Sequence, residues 1–166
     1  VCSSDLVYTT NGGKMNIDNE AITGKEQIGD VLSPYSALVN FYSAFNDQNH
    51  QKMKLNWLQS ENTSMSNPLG GIKRGWNEIK EVYQHVFGGQ TSVYVEFYDY
   101  SIHATDSIFF AVGKERGTLS TKNKQIELAI RTSRTYVMHE NVWQQIHHHG
   151  SIENPKLLEI YQTTVM

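Results

Sequence analysis

Near its C-terminal end the chain reads Trp143-Gln144-Gln145-Ile146-His147-His148-His149-Gly150-Ser151. Imidazole is the side chain that gains and loses a proton near neutral pH, so histidines aimed into a pocket are candidates for acid–base work. Alternation along a strand puts Trp143, Gln145, His147 and His149 on one face and Val142, Gln144, Ile146 and His148 on the other. His147 and His149 are therefore the candidate catalytic pair. The preceding strand carries Arg131 and Arg134, three apart and so on opposite faces. If Ile126, Leu128 and Ile130 face the core, continued alternation brings Arg134 inside and leaves Arg131 outside, barring a bulge. There Arg134 can recognise an anion or a carbonyl and stabilise negative charge. A buried Arg needs an acid or an anionic ligand, and Glu115 is the first choice of partner. The competing reading has the histidines bonding across the sheet or at a dimer interface, and Glu115 facing solvent. Metal binding by the pair needs a third ligand such as His103 or Glu115, and no spacing signature supports it. Neither a metal nor a cofactor is expected.

The period of the apolar residues says what positions these groups. Ser33-Pro34 is a helix start, a capping hydroxyl followed by a ring that suits the first turn, and Leu38, Phe41, Tyr42 and Phe45 follow at helical spacing. A second helix over His50 to Leu58 places Met53 and Trp57 together, and a short one around Gly24 to Val31 is allowed. Glu61 to Asn67 has strand character and stops at Asn67-Pro68-Leu69-Gly70-Gly71. A loop runs through Lys73-Arg74-Gly75. Trp76, Ile79, Val82, Tyr83 and Val86 make a third helix, closed by a left-handed glycine at Gly88-Gly89. From Thr91 the period becomes 2, giving strands over Ser92–Thr105, Ile108–Thr118, Gln125–His139 and Val142–Ser151 with short polar turns between them. Asn154-Pro155 opens a short helix with Leu157, Leu158 and Tyr161. Helices followed by long hairpin-linked strands indicate an α+β fold, about three N-terminal helices packed on one face of a curved antiparallel sheet. A pocket is expected where sheet and helices meet.

Hydrophobic content of 39%, 19% charged residues and a net charge of -3 fit one globular domain, and the scattered Lys and Arg argue against nucleic acid as a partner. Lys73-Arg74 beside Gly70-Gly71 lacks the spacing of a phosphate loop, and Tyr94, Tyr98 and Tyr100 on one strand face lack the basic residues of a nucleic-acid platform. No apolar run approaches the roughly 20 residues of a membrane span. A single cysteine, Cys2, excludes an internal disulfide, and with no secretion signal the expected location is the cytoplasm. Val1-Cys2-Ser3-Ser4-Asp5-Leu6 is what GTG TGC TCT TCC GAT CT encodes, the end of a common sequencing adapter. Asn11-Gly12-Gly13-Lys14 before Met15 likewise suits a translated ribosome-binding stretch. Residues 1–14 are therefore expected to be a non-native or disordered tail, 15–32 an extension and 33–166 the domain.

The order of elements and the strand Trp-x-x-Ile-His-x-His-x-Ser resemble the nuclear transport factor 2-like superfamily, also called SnoaL-like or ketosteroid-isomerase-like, over roughly residues 34 to 152. Arg131 to Ser151, with Ser133-Arg134 ahead of the histidine strand, is similar to the end of the calmodulin-dependent protein kinase II association domain. The resemblance implies a cone-shaped half-barrel with a pocket between sheet and helices, dimerised through its outer sheet face. Isomerases of the superfamily place a Tyr on the first helix, matched by Tyr42, and an Asp before a Pro, matched here by Asn67 before Pro68. An amide cannot take a proton from a carbon acid, so the isomerase base is missing. The Asp-Arg-Asp arrangement of the epoxide hydrolases of this fold cannot be assembled either.

Tyr42, Trp57, Trp76, Tyr98, Asn67 and Glu115 complete the expected site as substrate-binding residues, with core packing the competing use of the aromatics. The function expected is binding of a small carbonyl- or carboxylate-bearing apolar compound. Acid–base chemistry of an isomerase, cyclase or hydrolase/dehydratase kind would rest on His147, His149 and Arg134. A noncatalytic ligand-binding or oligomerisation module is the alternative.

Overall fold

The computed structural model describes residues 20–89 and 91–165. The expected tail, residues 1–14, lies outside them. In chain order the elements are α1 (Pro34–Asn46), α2 (His50–Asn56), β1 (Ser64–Ser66), β2 (Lys73–Arg74), α3 (Gly75–Gly88), β3 (Ser92–Ala104), β4 (Ile108–Ser120), β5 (Gln125–His139), β6 (Val142–Ser151) and α4 (Pro155–Val165). One sheet runs β2-β1-β6-β5-β4-β3. It is an open half-barrel with the helices on its inner side, and it is mixed, because β1 pairs parallel to β6 while its other neighbours are antiparallel.

Local chemistry accounts for the helix starts. Ser33 Oγ accepts the amide of Ser36 at 3.1 Å with Pro34 next in line. Ser33→Ala is expected to lower stability by about 1 kcal/mol, read from the urea midpoint at unchanged slope. The inward face of α1 buries Leu38, Phe41 and Tyr42, and Asn46 at its end clamps the free backbone of edge strand β3, donating to Val95 O at 2.8 Å and accepting from Val95 N at 3.0 Å. Asn154 caps α4 in the same way through the amides of Lys156 and Leu157.

No helix forms over residues 24–31. Ile22 instead exchanges both backbone hydrogen bonds with Phe97, covering the same β3 edge, and the Glu26 carboxylate takes the amides of Thr23 and Gly24. Gly24 has φ +86°, and a Cβ there would lie 2.1 Å from Ser43 N, so only glycine allows the approach to α1. The loop through Lys73 and Arg74 gains two residues of strand against β1. Gly89 caps α3 in extended backbone, φ -78°, and not as a left-handed glycine.

Two bulges bend the sheet. Tyr98 pairs Lys114 and Ser101 pairs Val112, so β3 holds an extra residue around Asp99, whose φ is +47°. Tyr100 thereby turns inward to stack on Phe97 at 5.0 Å, whereas Tyr94 and Tyr98 stay outside, so the three tyrosines do not share a face. Gly113 opposite leaves room for them, since a Cβ would meet Tyr100 Cβ at 2.6 Å. The second bulge is in β6 and decides the site.

Candidate functional site

Thr135 pairs His147 but Tyr136 pairs Gln145, so Ile146 is an extra residue on β6. Alternation restarts after it. Trp143 and Gln145 face inward as expected, but the next inward residue is His148, 8% exposed and directly opposite Arg134. His147 and His149 turn to the outer face. His147 Nδ1 lies 2.8 Å from Ser64 Oγ, and His149 borders a groove on the far side of the sheet. The expected inward pair is thus corrected to the single histidine between them.

Arg134 is 3% exposed and Arg131 exposed, the outcome that alternation from Ile126, Leu128 and Ile130 requires. Glu115, 5% exposed on β4, meets Arg134: Nη2 donates to Glu115 Oε1 at 2.9 Å. The Tyr42 hydroxyl donates to that same oxygen at 2.7 Å and accepts from Arg134 Nε at 3.3 Å. Arg134 Nη1 donates to Gln145 Oε1 at 2.9 Å, and the guanidinium carbon sits 3.6 Å above the Phe41 ring. The charges are dry yet compensated, the condition under which a buried pair survives. Desolvation with Glu115 nearby holds the Tyr42 phenol well above its ordinary range, so it remains a donor.

Above this floor lies a cavity of about 60 Å³, walled by Phe41, Val86, Val95, Leu128, Ile130 and Tyr83, with Asn67 and Pro68 also in its lining. α4 packs beside it: Gln162 Nε2 donates to Pro68 O at 2.9 Å, His85 Nε2 meets Val165 O, and Tyr161 reaches the lining. Burial pushes the Tyr161 phenol up to about 12. His148 enters the cavity as a neutral imidazole, because burial, and then the Arg134 charge, hold its pKa well below the usual 6.5. Its Nδ1 is buried without a hydrogen-bond partner. Tyr83 accepts Trp57 Nε1–H at 3.1 Å and keeps its own proton for a further acceptor.

The other expected residues divide. Tyr42 belongs to the floor and Asn67 to the cavity lining, where its Oδ1 accepts Leu69 N at 3.0 Å. Trp57 is fully buried behind Tyr83 as core, Trp76 borders a separate groove with His50 and Lys80, and Tyr98 lies outside under Arg116 at 4.5 Å. Neither Trp76 nor Tyr98 walls the cavity. Among the described residues no group of three His, Cys, Asp or Glu is placed to hold a metal, and no helix is long and apolar enough to cross a membrane. His148, Gln145, Tyr83 and Phe41 had gone unassigned. The helical spacing that joins Phe41 to Tyr42 and Tyr83 to Ile79 and Val86 was a usable signal for the two aromatics; nothing marked His148.

An open half-barrel with a polar floor and an apolar cavity beneath its helices defines a cone-shaped α+β architecture. A SnoaL-like domain model matches residues 35–155, and the chain belongs to the SnoaL-like family. Solved structures share the fold at low identity. A nuclear transport factor 2-like superfamily protein from Salmonella enterica is 20% identical with TM-score 0.63, covering 70% of this chain and 85% of that one. A candidate calcium/calmodulin-dependent protein kinase II association domain from Xanthomonas campestris is 14% identical with TM-score 0.64, covering 77% and 91%. A candidate dehydratase of the NTF2-like family from Streptomyces avermitilis is 16% identical with TM-score 0.62, covering 70% and 90%. Among curated proteins none matches.

Proposed function

We propose that this chain binds a small, partly apolar carbonyl compound over the Glu115–Arg134 pair and moves a proton on it. The observation that carries this reading is the buried network of Tyr42, Glu115, Arg134 and Gln145 with His148 beside it, at the floor of an otherwise apolar cavity. Apolar residues of similar volume stabilise a core as well as a buried ion pair does, so packing alone gives no reason for these charges. In this reading His148, and not His147 or His149, exchanges the proton, Arg134 pairs with Glu115 at the floor, and Tyr83 donates to a developing oxyanion. Isomerase, cyclase and dehydratase or hydrolase chemistry all use such a set. The cytoplasm remains the expected location.

A second reading, a noncatalytic assembly module, is favoured by two observations. The cavity is well below the roughly 300–1,000 Å³ of common ligand pockets. The outer sheet face exposes Ile108, Phe110 and Val112 on β4 and Val142 on β6, with Phe110 at 45% and Val112 at 46%, a surface suited to a homodimer.

Thermal shift on the full chain with small ketones, alcohols and carboxylates separates them. A ligand at about 100 times its Kd stabilises the fold by about 2.7 kcal/mol, several degrees in Tm. The expected result is such a shift, abolished in Val86→Phe, which fills the cavity and leaves the floor intact. A protein that no probe shifts, and that sediments as a dimer, belongs to the second reading.

A further inference from the structure

We infer that the cavity takes an uncharged ligand that donates a hydrogen bond, an alcohol or an enol, and rejects carboxylates; this rests on the ligand-site reading above. Arg134 looks at first like a carboxylate receptor, but its charge is already matched by Glu115. Each guanidinium nitrogen already bonds inside the protein, Nε to Tyr42, Nη1 to Gln145 and Nη2 to Glu115, and one face of the group is covered by Phe41.

The floor presents an acceptor instead. Both hydrogen bonds described at Glu115 end on Oε1, and among the described residues none reaches Oε2. Glu115 lines the cavity, so Oε2 is placed to accept a ligand hydroxyl. His148 adds an imidazole with an unpartnered buried nitrogen. Tyr83 and Tyr161, the other titratable groups on the wall, are neutral and can donate to a second ligand oxygen. Glu115 and Arg134 cancel, so the lining carries no net charge. A carboxylate would enter as an uncompensated ion beside the Glu115 carboxylate, the costly arrangement in a dry site. An alcohol or enol meets an acceptor and brings no charge. An enol bound in this way gives its hydroxyl hydrogen bond to Glu115 Oε2, Tyr83 donates to the same ligand oxygen, and the proton exchange stays with His148.

The test compares 2-propanol with isobutyrate, which share an isopropyl group, at pH 7.5, by titrating the His148 imidazole resonances of the full chain. The expected result is saturable perturbation by the alcohol and binding at least about tenfold weaker for the carboxylate, as desolvation of an unpaired anion demands. In Glu115→Gln the preference reverses, because isobutyrate then supplies the negative charge missing beside Arg134. If that variant does not fold, the comparison on the unmodified chain decides alone. Isobutyrate binding as tightly as the alcohol overturns the inference and leaves the ligand site standing. Neither compound perturbing His148 overturns both.

Discussion

Glu115→Ala is expected to remove about 3–5 kcal/mol of folding stability, a large share of the total for a domain of this size. The loss comes from what remains. Arg134 stays 3% exposed over Phe41 with its charge unmatched, and the Tyr42 hydroxyl loses its acceptor. Removing both charges leaves no orphan, so Glu115→Leu with Arg134→Met should recover most of the loss, since apolar replacement of a whole buried pair is near neutral or stabilising. Urea unfolding of the two variants at a common slope separates these outcomes. A loss below about 1 kcal/mol in Glu115→Ala would show that water reaches Arg134, as at an exposed pair, and would remove the dry floor on which the proposed ligand site depends.

The inward phase of Arg134 was legible in the sequence, while Glu115 stayed open between partner of that Arg and solvent-facing residue. Ile126, Leu128 and Ile130 set the phase of β5, the phase put Arg134 inside, and an inward guanidinium called for a carboxylate. The bounds of β5 and β6 were equally legible, because a period of 2 ends at polar turns; in the last of these Glu140 and Asn141 take φ +50° and +61°, the paired left-handed geometry of a two-residue hairpin. The bulges at Asp99 and Ile146 were not legible. A one-residue insertion leaves composition and period almost unchanged while reversing every side chain beyond it. Tyr100 moved inside, and His148 exchanged places with His147 and His149. The stretch over 24–31 failed for a different reason: Gly24 sits at φ +86° against α1 and the Glu26 carboxylate takes the amides of Thr23 and Gly24, a local turn that the apolar spacing does not reveal.

The pH dependence of stability tests the exchange of histidines directly. The folded pKa of His148 lies well below 6.5, with burial the largest cause. In the unfolded chain the same imidazole binds a proton as pH falls through about 6.5, so the unfolded state then holds more protons than the folded one. Stability is therefore intact above about pH 6.5 and falls on acidification towards the folded pKa, by up to about 1.4 kcal/mol per pH unit. His148→Gln lacks this proton, so its stability curve should be flatter by up to that slope over the same range. His147 is also depressed, through burial and the nearby His149, but it is present in both proteins and cancels in the comparison. Urea midpoints at pH 7, 6 and 5 supply the measurement. Parallel curves would mean that the imidazole accepts a proton in the folded state at an ordinary pH, which requires water at the floor. Diverging curves would place a neutral, unprotonated imidazole beside Glu115 and Arg134 at physiological pH, the state a base must occupy before it can take a proton from a ligand.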